Sequence, residues 1–138
     1  MTGAVEAGGC LCGEVRFQAR GEPIAVLYCH CRMCQRASGA PVVAWAIYPA
    51  GQVSVVEGKL TWFDSSADAK RGFCARCGSP LAFVSSKRPD QIDLNLAGFD
   101  RAEMIPPHSH IWTSSAMSWL VIDDHLPRHA RGFGADDD

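Results

Sequence analysis

The amino-acid sequence predicts a mainly β fold built from short antiparallel strands, and three observations carry that reading. Apolar residues either alternate with polar ones or fall in brief runs rich in β-branched and aromatic side chains, too short for helices. Glycine and proline punctuate the chain between those runs. Apolar residues make up 47% and charged residues 20% of 138 positions, close to globular averages, so residues 1–138 are read as one domain.

The elements follow in chain order. Val15, Phe17 and Ala19 alternate with Glu14, Arg16 and Gln18, the pattern of a half-buried strand, and Gly21-Glu22-Pro23 closes it. Ile24 to Tyr28 is the next strand. Arg32 to Ser38 is the first of two short helices, with Cys34 near its start. Val42 to Tyr48, Val53 to Val56 and Leu60 to Phe63 are strands separated by Pro49-Ala50-Gly51 and Glu57-Gly58-Lys59. Pro80 to Val84 adds another, and Ile92, Leu94 and Leu96 alternate with Asp93 and Asn95. Asp100 to Met104 is the second short helix. Beyond Pro106-Pro107, Ile111 to Thr113 completes a count of about eight to ten strands. Residues 132–138 form an acidic tail, read as a solvated end.

Charge excludes several function classes. Thirteen Lys and Arg stand against 15 Asp and Glu, a net charge of −2 that offers no footprint for nucleic acid or an anionic membrane. The longest nearly apolar run, Ala40 to Tyr48, is about half of what a membrane-spanning helix needs. Met1 to Gly9 has neither the basic start nor the apolar stretch of a secretion signal. A soluble, cytoplasmic protein without nucleic-acid or membrane partners is expected.

The seven cysteines are the informative residues. An odd number cannot pair completely, and a reducing compartment favours metal ligation or redox chemistry over disulfides. They form three groups. Cys10-Leu-Cys12-Gly13 and Cys74-Ala-Arg-Cys77-Gly78 each place two thiolates in a tight turn followed by glycine, two halves of one four-sulfur zinc site. Such a closed site is structural, and it would clamp the N-terminal strand to the middle of the chain. The blander alternative is two pairs of buried free cysteines.

The middle group, Cys29-His30-Cys31-Arg32-Met33-Cys34, offers three thiolates with no further cysteine left to join them. Three protein ligands and an open fourth position suit a zinc that activates water or lowers the pKa of a substrate thiol. His30 or a distant histidine could instead close the site, or the thiols could be metal-free. Adjacent residues on an extended segment point opposite ways, which disfavours His30.

The strings Gly-Gly-Cys10-Leu-Cys12-Gly-Glu-Val-Arg-Phe, Tyr28-Cys-His-Cys-Arg-Met-Cys34-Gln-Arg-Ala-Ser-Gly-Ala-Pro41 and Phe73-Cys-Ala-Arg-Cys-Gly78 resemble the glutathione-dependent formaldehyde-activating enzyme family. That family is grouped with centromere protein V. His110-Ile-Trp-Thr-Ser-Ser and Trp119 fit its C-terminal pattern, so the resemblance covers nearly the whole chain. It implies an all-β zinc fold related to a Rab-associated zinc chaperone and to methionine sulfoxide reductase B. It implies two zinc ions: a structural one on Cys10, Cys12, Cys74 and Cys77, and an activity-associated one on Cys29, Cys31 and Cys34. The implied reaction joins glutathione to formaldehyde as S-hydroxymethylglutathione, a carbon–sulfur lyase chemistry with a small thiol and a small aldehyde as partners.

Other residues are weighed against blander roles. Arg32, Arg36 and Ser38 flank the middle cysteines and suit a substrate carboxylate, but surface charge on a short helix explains them as well. His108 and His110 are either acid–base groups at a cleft or strand-end residues. Trp45, Trp62, Trp112 and Trp119 are expected in the core or a cleft wall, since no basic residues interleave with them. Met33 is a poor zinc ligand beside thiolates and is expected to pack. The competing function is a non-catalytic binding or chaperone-like module in which both zinc sites are structural.

Overall fold

The computed structural model describes residues 4–132. Residues 133–138 of the expected acidic tail lie outside the described residues. Ten strands are described: β1 (Val5–Gly9), β2 (Arg16–Arg20), β3 (Ala25–Cys29), β4 (Val43–Pro49), β5 (Val53–Glu57), β6 (Thr61–Asp64), β7 (Ala69–Phe73), β8 (Pro80–Ser85), β9 (Gln91–Asn95) and β10 (Ser109–Ile111). A single α-helix among the described residues, α1 (Arg32–Ser38), has the predicted bounds. The mainly β reading therefore holds.

The strands form two sheets. β1, β2 and β5 make a three-stranded antiparallel sheet. The larger sheet has the order β10-β3-β4-β9-β8-β7-β6. Its pairs are antiparallel except β10 with β3, which run parallel, a departure from the predicted antiparallel arrangement. The reason lies in the crossover. After β9 the chain passes beside β1, where the Asp100 amide donates to the Ala7 carbonyl at 2.8 Å, and then re-enters the sheet alongside β3.

β4 explains why its sequence reads as a run and not as an alternation. Ala46 and Tyr48 face a core shared with Phe17, Leu81, Leu94 and Phe99, and the Phe17 and Phe99 rings meet edge-on at 5.1 Å. Trp45 and Ile47 face the opposite side, among Leu27, Cys29, Cys34 and Ile111. A central strand buried on both faces needs apolar residues at every position. The second, smaller core is the floor of the cysteine site.

Two strands escaped the sequence reading. β1 is Val-Glu-Ala-Gly-Gly and β7 is Ala-Lys-Arg-Gly-Phe, and neither carries the β-branched alternation that marks strands. The strand expected through Leu96 ends at Asn95, whose side chain caps a short 3-10 turn, Leu96–Gly98, by accepting from the Ala97 amide at 3.3 Å. The strand expected at Ile111 to Thr113 is instead Ser109–Ile111, because Trp112 turns to a φ of 56°. The helix expected at Asp100 to Met104 is a single 3-10 turn, Ala102–Met104. Among the described residues no helix is long and apolar enough to cross a membrane.

β1 approaches the crossover too closely for any side chain at Gly8. A Cβ there would stand 2.5 Å from the Gly98 carbonyl oxygen and 2.5 Å from the Phe17 ring. Gly8→Ala is therefore expected to cost about 1–3 kcal/mol of folding stability through overpacking. Urea unfolding would show this as a lower midpoint with an unchanged slope.

Candidate functional site

The outer four cysteines converge as the spacing predicts. The Sγ atoms of Cys10 and Cys12 lie 3.6 Å apart, those of Cys12 and Cys74 3.8 Å apart, and all four sulfurs fall within 4.8 Å of one another. A tetrahedron with metal–sulfur arms of about 2.3 Å has edges of about 3.8 Å, so this donor set fits a zinc ion. Each knuckle is closed by its glycine: Gly13 donates to the Cys10 carbonyl at 3.2 Å, and Gly78 to the Cys74 carbonyl at 2.7 Å. Both glycines have positive φ, 84° and 81°, where a β-carbon is disfavoured. Ser79 stitches the halves together, its hydroxyl accepting from the Leu11 amide at 3.0 Å and meeting Cys77 Sγ at 3.1 Å. Hydrogen bonds from Ser79, with the Cys12 amide, lower the Cys77 thiol to about 5, which prepares it as a thiolate ligand.

The middle three cysteines also converge, with their sulfurs within 4.8 Å of one another. Cys29 is the last residue of β3 and is buried. Cys31 is the N-cap of α1, its sulfur accepting from the Cys34 amide at 3.3 Å, and Cys34 sits in the first turn. A helix start in place of a side-chain oxygen cap thus points two of the sulfurs inward. The Cys31 thiol is held far below the ordinary range by hydrogen bonds from Cys29 and then Cys34, with the Cys34 amide and the Arg71 charge adding to them. The same contacts, Cys31 first, push Cys29 upward.

A polar scaffold fixes this loop from behind. Gln35 is buried, and its side-chain amide donates to the carbonyls of His30 at 2.8 Å and of Pro41 and Ser115 at 3.2 Å. Its own oxygen accepts from Arg32 at 2.7 Å. His30 turns away from the sulfurs, as adjacent residues on an extended segment should. Its Nε2 lies 2.8 Å from His110 Nδ1, and His110 Nε2 lies 2.8 Å from Asp124 Oδ2. Burial lowers the His30 pKa and keeps that ring neutral. His110 is completely buried and belongs to this scaffold, whereas His108 is exposed.

Two cavities, of about 520 and 460 Å³, meet at Cys34 and Arg71. All three middle cysteines line the smaller one, with Trp45, Phe83 and Trp112 forming apolar wall. Arg32 lines the smaller cavity and Arg36 the larger. The Ser38 hydroxyl donates to the Cys34 carbonyl at 2.8 Å, so its immediate work is to finish α1. Met33 is half exposed on the cavity wall and not packed in the core. Trp62 packs over Gly72, and Trp119 is exposed, in neither core nor cleft.

The model of the glutathione-dependent formaldehyde-activating enzyme family matches residues 5–115, a span that holds all seven cysteines. The chain belongs to that family. A Schizosaccharomyces pombe protein named an uncharacterized lyase is 34% identical over 84 residues, covering 59% of this chain and 61% of the yeast protein. The chain thus spans less than two thirds of that curated relative. The fold is similar to the crystal structure of a Rhodobacter sphaeroides protein, with a TM-score of 0.59 and 22% identity, covering 73% of this chain and 96% of that one.

Sequence reasoning about this member of the formaldehyde-activating family missed Arg71, Gln35 and the His30–His110–Asp124 chain. Arg71 lies on an unrecognised strand, three residues before Cys74, and its Nη atoms stand 3.8 and 3.7 Å from Cys34 Sγ. Gln35 bonds mostly to near neighbours, Arg32, His30 and Pro41, with Ser115 its one distant partner, while the histidines depend on partners distant in sequence that no local pattern reports. Gln35→Ala would strand the buried His30 carbonyl and two partly buried carbonyls, and is expected to cost about 1–3 kcal/mol. Thermal unfolding, with Arg32→Ala as the milder comparison, checks this.

Proposed function

We propose that this chain is a zinc-dependent carbon–sulfur lyase acting on a thiol–aldehyde adduct, such as that of glutathione with formaldehyde. The observation that carries the reading is the count of donors: three sulfurs converge on the wall of a cavity, and among the described residues no histidine nitrogen or carboxylate joins them within 4.8 Å. Cys29, Cys31 and Cys34 would hold one zinc, and Cys10, Cys12, Cys74 and Cys77 a second, structural one. The family match over residues 5–115 and the lyase name of the yeast relative support the reaction class. In this reading residues 1–138 act as one domain, and its seven free cysteines suit a reducing, cytoplasmic setting.

When bound, an ion with three thiolate ligands supplies Lewis acidity and a position at which a thiol loses its proton at neutral pH. The chain's own residues do the rest. Trp45, Phe83 and Trp112 give the smaller cavity an apolar wall beside the sulfurs. Arg36 lines the larger cavity and would receive a carboxylate of a peptide thiol, as would Arg32 in the smaller one through the guanidinium donors that Gln35 leaves open. The cavity volume of about 460 Å³ accommodates a small peptide with an aldehyde beside it. The adduct forms as the thiol sulfur bonds to the carbonyl carbon and the thiol proton passes to the new hydroxyl. Cleavage is the reverse.

Metal analysis is expected to give two zinc ions per chain of unequal affinity, the three-cysteine ion leaving first under mild chelation. Cys77→Ser should lower folding stability, whereas Cys34→Ser should leave a folded chain without the labile ion and without activity. Equal unfolding by both variants would reverse the division of labour. In cobalt-substituted protein, glutathione should change the sulfur-to-cobalt absorption and its S-methyl derivative should not. If neither ligand, or both alike, altered the spectrum, a purely structural role for both sites would be the better reading.

A further inference from the structure

Arg71 has no place in the scheme above, yet its position is the most specific feature of the cavity. It lies on β7 directly opposite Phe83 of β8, and its guanidinium rests 4.9 Å over the Phe83 ring. That platform carries the charge across the sheet face to Cys34, where both Nη atoms approach the sulfur, at 3.8 and 3.7 Å. The same side chain lines both cavities. Guanidinium has five N–H donors, so contact with one sulfur leaves others for a ligand seated beside it.

We propose that Arg71 makes the three-cysteine site select an anionic donor atom, a thiolate, over a neutral donor such as imidazole or water. The inference rests on the reading of Cys29, Cys31 and Cys34 as ligands of one zinc. Charge supplies the argument. A divalent ion with three thiolates carries one net negative charge, and an anionic fourth donor would raise that to two in a largely apolar surrounding. A neutral donor meets no such penalty, so a site without compensation would favour water or imidazole. A fixed positive charge in contact with one of the sulfurs removes that bias. Neither carboxylate of the cavity sits against it. Asp93, the buried one, is held bidentately by Arg88 at 3.1 and 3.2 Å. Asp68 is exposed and meets the Ser86 hydroxyl at 3.4 Å. Lys87 and Arg32, further cations of the same cavity, carry the same sign as Arg71.

The test uses the full chain loaded with cobalt and two probes: 2-mercaptoethanol, which binds as a thiolate and has no carboxylate, and imidazole. Affinities are read from the cobalt absorption, not from turnover. Arg71→Met should weaken mercaptoethanol about tenfold to a hundredfold, the loss expected for a charge-assisted contact, and leave imidazole within about twofold. Arg71→Lys, which keeps the charge, should recover most of the difference. An unchanged mercaptoethanol affinity, or an equal loss for both probes, would overturn the proposal. So would a loss for glutathione alone, which would make Arg71 a carboxylate reader. If Arg71→Met fails to fold or to keep its second cobalt, Arg71→Gln against Arg71→Lys carries the same comparison. A wild-type protein that holds one cobalt only would instead refute the zinc reading beneath it, and metal counting separates that outcome from the others.

Discussion

Sulfur atoms that are to share one ion must lie close together, and this chain gathers two such sets within 4.8 Å, the outer one from segments far apart in sequence. The outer set brings Cys10 and Cys12, at the end of β1, against Cys74 and Cys77, at the end of β7. The three-stranded sheet and the large sheet are therefore pinned where their strands end, and the Phe17–Phe99 core fills the space behind the pin. Four mutually repelling thiolates cannot stay so close without a cation or shared protons. The fold is organised around a charge that has to be neutralised.

The inner set obeys the same rule at shorter range. Its cysteines lie within one strand end and one helix start, so local backbone geometry converges them, and Gln35 with the buried histidines only prevents the loop from relaxing. β7 ties the two sets together. It ends in the Phe73–Cys74 step of the outer site, and on the way it presents Arg71 to Cys34. Any slip of β7 against β8 would disturb both centres, since a one-residue shift turns every side chain to the other face.

The two cysteine clusters were legible in the sequence because cysteine is rare, its spacing is informative, and a glycine after each outer pair marks a turn. The helix was legible for a related reason: Arg32 to Ser38 holds no β-branched residue, and Gly39, at a φ of 74°, ends it. β7 was not legible, because a strand stabilised by its neighbours tolerates lysine, arginine and glycine that no propensity argument would place there. Arg71 was lost with it. His110 was weighed only as a cleft or strand-end group, since its burial depends on Asp124 and His30, which converge from other segments. The parallel placement of β10 was hidden for the same reason: direction within a sheet depends on the crossover and not on three residues.

That parallel strand has a consequence for the order of assembly. Leu27 pairs with Ser109, and the His30 amide donates to the Ile111 carbonyl at 3.1 Å, so these contacts close a loop that contains most of the chain. Long loops close late, after the hairpins inside them. Cys29, Cys31 and Cys34 need no such closure, because they are neighbours from the moment they are synthesised. A chain emerging from the ribosome thus exposes a three-thiol chelator before Ile111 and Trp112 arrive to wall it, an order that hydrogen exchange during refolding would register. On the proposed reading, the three thiols would be able to take up an ion before the pocket that holds substrate has closed over them.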